Sequence, residues 1–228
     1  MCGIAAFSAI SFLVTLIIRV PVQFLTFDVK DAIICLASFI YGPVSAFIIS
    51  FIAAFIELVT ISSTGVLGFL MNFLSSSAFA FTAAFIYSKK KTLAGAIIGV
   101  YSAVAVLSVV MVLLNIVITP VYMKVDRGVV LALLPTLLFP FNLAKGLLNG
   151  AATLLLYKPL VIALRRAHLI PMSERQVSSY DESFISENEN KNRFSPNHFS
   201  NKSYIPIALG IATAIIAIAV FVVLNKGL

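Results

Sequence analysis

From Leu93 to Ile118 the chain runs for 26 residues without a charged side chain. As a helix such a run exceeds the ~30 Å hydrocarbon thickness of a bilayer, and few other structures tolerate it. Further apolar runs cover Gly3–Ile18, Ala32–Tyr41, Val44–Ile61, Phe69–Ser88, Leu134–Lys158 and Ile205–Leu224. They are continuous rather than alternating with a period of two, which excludes a transmembrane barrel. With 61% hydrophobic residues, 11% charged and a mean hydropathy of +1.06, too little polar surface remains for a soluble domain. The expected fold class is all-α: a polytopic bundle of six helices with one more transmembrane helix at the C-terminal end. Ala32–Tyr41 is too short to cross alone, so it is expected either to be buried among the others or to extend into the flanking loop.

The formal charge of +7 is distributed as topology charge. Residues 1–173 hold eleven Lys/Arg against four acids, Asp28, Asp31, Glu57 and Asp126. The basic residues gather at Lys89–Lys91, Lys158, Arg165 and Arg166, which predicts that these loops and the N-terminus face the cytoplasm. The loops at 19–31, 62–67 and 119–128 then face outside. No motif supports nucleic-acid binding. Cys2 and Cys35, the only cysteines, suggest neither a disulfide framework nor a metal cluster. The first apolar run lacks a basic leader and a cleavage site and reads as a retained helix.

Polar groups inside the spans carry the functional signal. Lys145 lies within Leu134–Lys158 between Asn142 and Asn149, after Pro135 and Pro140, which are read as loosening the start of this helix. An ammonium at that depth costs a few kcal/mol and calls for a polar partner. Asn72 and Asn115 lie near the same external end of their spans. Glu57 is read either as a helix-end carboxylate reaching the interface or as a polar wall of a cavity. Asp28 and Asp31, in a first external loop read as Arg19–Asp31, are expected to be solvated. Together these groups predict an outward-facing pocket for a small polar, aromatic molecule.

Three function classes compete: a substrate-binding or transporting subunit, an intramembrane enzyme, and a structural subunit. The enzyme lacks its parts, with no HExxH, no GxSxG and no facing aspartate dyad. No P-loop is present, so the chain does not hydrolyse ATP itself, and no inverted repeat marks a free-standing secondary transporter. A binding subunit driven by a separate motor fits best. No metal or cofactor is expected.

The runs FLTFDVKDAIICLASFIYGPVSAFIIS (Phe24–Ser50), ELVTISSTGVLGFLMNFLSS (Glu57–Ser76), LLNIVITPVYM (Leu113–Met123) and LLFPFNLAKGLLNGAATLLLYKPL (Leu137–Leu160) resemble the substrate-binding S components of bacterial energy-coupling-factor (ECF) vitamin transporters, and among these the riboflavin-specific branch. The resemblance covers roughly residues 1–165. It implies a six-helix protein of the bacterial cell membrane that binds a vitamin externally beneath a first-loop lid. It further implies partnership with a transmembrane coupling subunit and two ATP-binding-cassette ATPases. Ala5 and Ala9 share one helix face, which spacing alone reads as intramolecular packing; the resemblance instead implies the coupling-subunit contact. The family's F-D-x-x-D pattern falls on Phe27, Asp28 and Asp31, and its polar helix positions fall on Asn72, Asn115, Asn142 and Lys145. These suit a flavin, whose pyrimidine-dione edge an amide and an ammonium can read together. Around Asn72 the sequence reads GFLMNFLSSS where many riboflavin-type members are richer in glycine. Thiamine, its hydroxymethylpyrimidine precursor or folate are the alternative substrates on this fold.

Residues 166–203 are polar and Ser/Asn-rich and are read as a disordered cytoplasmic tether, with His198 a solvated side chain. Residues 204–228 are read as a packing or anchoring helix.

Overall fold

The computed structural model describes residues 2–22, 25–62, 64–166, 208–215 and 217. The expected tether and the greater part of the last helix, with His198, lie outside these residues. The chain is a helical membrane protein. It begins with α1 (Cys2–Ile17), a hairpin of β1 (Arg19–Val22) and β2 (Leu25–Asp28), α2 (Lys30–Tyr41) and α3 (Val44–Thr60). Then come α4 (Gly65–Lys89), α5 (Leu93–Met123), α6 (Arg127–Leu133), a π-helical turn (Leu134–Leu138) and α7 (Phe139–Arg166). Among the described residues three helical stretches, Gly65–Lys89, Leu93–Met123 and Arg127–Tyr157, are long and apolar enough to span a bilayer.

Local chemistry sets the boundaries. Gly42, at φ 93, ends α2 in a conformation that side chains resist, and Pro43 then starts α3. Thr92 caps α5 by accepting from the Gly95 amide at 3.2 Å, and Asp126 caps α6 from the Arg127 amide at 2.9 Å. The fifth helix therefore continues past its expected end at Ile118 and carries Pro120 in its last turn.

Small residues let the helices approach. Ala80 and Ala83 on α4 and Ala96 and Ala103 on α5 are fully buried. A Cβ at Gly99 would stand 2.7 Å from the Ala83 carbonyl oxygen, so only glycine fits there. Residues 208–215 are helical, and Gly210 lies against α7: a Cβ there would be 2.8 Å from Leu155 Cγ.

Two expectations are corrected and one is borne out. First, the stretch read as a loop from Arg19 to Asp31 holds an antiparallel pair, Arg19–Val22 with Leu25–Asp28, with Arg19 opposite Asp28. Second, α2 starts at Lys30, inside that loop, and is both extended and buried; its 12 residues span about 18 Å. Third, the last long span does not start at Leu134 but runs from Arg127 through the π-turn. There the Phe139 amide donates to the Leu134 carbonyl five residues back. Pro140 has no N–H to offer the Thr136 carbonyl, so the two prolines do mark a widened turn.

Candidate functional site

Five ionisable side chains meet at the hairpin end of the bundle, all buried: Asp28, Lys30, Asp31, Glu57 and Lys145. Two ion pairs organise them. Lys145 Nζ, from α7, lies 2.8 Å from Asp28 Oδ2 at the end of β2. Lys30 Nζ, from the first turn of α2, lies 2.6 Å and 2.7 Å from the two oxygens of Glu57 on α3. Asn72 on α4 donates to Glu57 Oε2 at 3.2 Å, and the Thr15 hydroxyl on α1 donates to Oε1 at 3.4 Å. Glu57 thus joins four helices. Of its two sequence readings the cavity wall holds, and the interface-reaching carboxylate does not, since the residue is 6% exposed.

The expectation that Asp28 and Asp31 are solvated is overturned: they are 2% and 0% exposed. The hairpin folds over them, and Phe27 sets its ring edge-on to Phe141 at 5.4 Å between centroids. Burial by itself would raise the Asp28 carboxyl, but the ammonium groups of Lys145 and Lys30 outweigh it and hold Asp28 below the usual aspartate range. Asp31 Oδ1 accepts from the Ser76 hydroxyl on α4, while Asp28 Oδ1 and Asp31 Oδ2 have no hydrogen-bond partner among the described residues.

Two adjoining cavities open beside this cluster. The larger, about 410 Å³, is lined by Thr15, Arg19, Asp28, Glu57 and Asn72 among others. The smaller, about 100 Å³, is lined by Asn72, Ser75, Asn115, Thr119, Asn142 and Lys145, with Met71, Met111 and Phe141 as apolar wall. Leu25, Thr26, Thr64, Asn72 and Tyr122 belong to both, so the β2 strand and Asn72 separate them. Asn115 and Asn142 each donate to a carbonyl four residues earlier in their own helix, Met111 and Leu138, both at 2.7 Å. Asn115 Oδ1 also accepts from Thr119 at 2.8 Å.

Of the residues singled out by sequence, Asn72, Asn115, Asn142 and Lys145 share the smaller cavity and Asp28 lines the larger. Phe27 and Asp31 line neither; they pack behind the site, against Phe141 and Ser76. Ala5 and Ala9 are exposed, because α1 buries its polar face of Ser8, Ser11 and Thr15 instead. The two alanines therefore make no intramolecular packing seam among the described residues. The sequence reading missed Lys30, whose partner Glu57 lies 27 residues away on another helix, and named Asn149 only as a polar neighbour one turn beyond Lys145 without a role.

The family model described as ECF transporter, substrate-specific component, matches residues 1–161. The riboflavin transporter RibU of Staphylococcus aureus (strain TCH60) is 31% identical over 173 residues, covering 72% of this chain and 90% of that protein. A solved S component of a bacterial ECF transporter matches with a TM-score of 0.61 at 29% identity, over 72% of this chain and 95% of that chain.

Proposed function

The chain belongs to the substrate-specific components of ECF transporters, and on that premise we propose that it captures riboflavin outside the cell and delivers it inward with a separate energising module. The observation that carries this reading is the pair of adjoining cavities that meet at Asn72 and Thr26. The larger, at about 410 Å³, has the size of a small-molecule site, and the smaller combines amides and an ammonium with sulfur and aromatic walls. The isoalloxazine ring system occupies the side of Met71, Met111 and Phe141, with its carbonyl edge toward Asn142 and Lys145. The ribityl hydroxyls extend toward Asn72 and Glu57, which supply donors and acceptors. A flavin bridging both cavities requires Leu25 and Thr26 to move, because these residues stand between them.

Lys145 contributes in two states under this reading. With the site empty it is neutralised by Asp28; with the vitamin present it offers a further N–H to a flavin carbonyl. The chain itself performs no chemistry on its cargo, and no cofactor is needed. ATP hydrolysis belongs to two partner ATPases, and a coupling subunit meets α1 at Ala5 and Ala9, whose exposure leaves that face open. The N-terminus is cytoplasmic, consistent with the basic run Lys89–Lys91 at the far end of α4.

Uptake tests the reading. Cells that express this chain together with an energising module accumulate labelled riboflavin, and excess unlabelled riboflavin suppresses it. Suppression by thiamine or folate instead would assign another vitamin.

A further inference from the structure

Asn149 lies on α7 one turn beyond Lys145 and is 0% exposed. It lines neither cavity. Its Oδ1 accepts from the Ala32 amide at 2.9 Å, and its Nδ2 donates to the carbonyls of Asp28 at 3.0 Å and Lys145 at 3.1 Å. The two hydrogens of the amide meet two acceptors, and its oxygen meets a donor. A reversed side chain would set N–H against N–H, so the three partners fix its sense.

The Ala32 amide belongs to the first turn of α2, whose amides lack carbonyls four residues earlier within the helix. Val29 stands at the N-cap and forms no side-chain cap bond. Among the described residues its backbone partner is the Val29 carbonyl, at a long 3.3 Å. Asn149 therefore caps α2 from another helix. The same side chain grips the Asp28 carbonyl, while Lys145 grips the Asp28 carboxylate. Asp28 is thus held to α7 at two points, one of which never touches the cavity.

We propose that Asn149 is a positioning residue for the riboflavin site: it fixes the β2–α2 junction on α7, and through Asp28 it sets where the Lys145 ammonium stands at the cavity wall. This rests on the riboflavin reading for its ligand but on the three hydrogen bonds for its geometry.

Asn149→Asp keeps an acceptor for the Ala32 amide and loses the donors to Asp28 and Lys145; Asn149→Ser removes the reach while adding no charge, and serves where the first variant fails to fold. Stopped-flow quenching of flavin fluorescence on the full-length protein in detergent gives association and dissociation rates for the fraction that binds. We expect dissociation faster by about tenfold or more, with association within about twofold of the parent. Parental rates in a reduced binding-competent fraction would reduce Asn149 to a folding role and overturn the proposal. Hydrogen exchange over residues 28–32 in the ligand-free protein gives a readout that needs no vitamin, and it should quicken in both variants. Unchanged exchange there overturns the proposal, whereas quickened exchange in the variants of a parent protein that ignores riboflavin overturns only the ligand assignment.

Discussion

The Lys145 ammonium and the Asp28 carboxylate, 117 residues apart in sequence, meet at 2.8 Å with both side chains buried. Two charges withdrawn from water cost several kcal/mol each, and their attraction offsets this only while both are present. The hairpin and the last long helix are therefore joined by a contact that is neutral as a pair and costly when halved.

Lys145→Ala should weaken riboflavin binding and also destabilise the ligand-free protein by about 3–5 kcal/mol, because Asp28 is left charged and alone. The double substitution Asp28→Asn with Lys145→Met separates these effects. Its thermal midpoint in detergent should recover most of the loss while its affinity does not. Recovery of affinity along with stability would remove Lys145 from the ligand site.

Glu57→Gln should act differently from Glu57→Ala. Gln lacks the charge but retains one oxygen that can accept from Lys30, Asn72 or Thr15, whereas Ala leaves all three donors without an acceptor at this position. Calorimetry should give a modest loss of affinity for Gln, about tenfold, and failure to fold or bind for Ala. Equal behaviour of the two variants would mean that the carboxylate charge, which both lack, carries the whole contribution of Glu57.

Acid should unfasten the hairpin late. Asp28 titrates below its unfolded value of about 3.9, so its stabilising contribution is complete above that value and lost as pH falls through the folded one. The Asp28 contribution, read as the difference in thermal midpoint between the parent and the Asp28→Asn, Lys145→Met protein, should hold steady from about pH 7 to about pH 5 and shrink below about pH 4. The Asp28→Asn, Lys145→Met protein should show a shallower acid decline. A steep loss already near neutrality would place the responsible group elsewhere.

Ala5→Trp and Ala9→Trp should leave riboflavin affinity unchanged and abolish energy-driven uptake. Both positions are exposed, so a bulky ring there points away from the buried face of Ser8, Ser11 and Thr15 and leaves internal packing largely intact. Uptake at the parental rate would move the coupling surface away from α1.

The helical architecture was legible because 26 uncharged residues in a row leave the backbone little choice but to satisfy itself. Asn72, Asn115, Asn142 and Lys145 were legible for a related reason: polar groups in apolar spans are costly, and here they face one cavity. The fate of Asp28 and Asp31 was not. A short polar loop between two spans reads as solvated, and only the pairing of Arg19–Val22 with Leu25–Asp28 folds it over its own carboxylates. Lys30 was obscured likewise, since its partner Glu57 is 27 residues away and spacing cannot reveal a contact between different helices. The cap that Asn149 gives α2 spans 117 residues and has no local signature at all.

Under the proposed function one riboflavin is held between Lys145, Asn72 and Glu57. Titration of the purified protein with riboflavin, followed by flavin fluorescence and by calorimetry, tests it most directly. The account predicts saturable quenching with heat release at one vitamin per chain, lost in the Asp28→Asn, Lys145→Met protein although that protein remains folded. A folded parent protein that neither quenches riboflavin nor releases heat would contradict it.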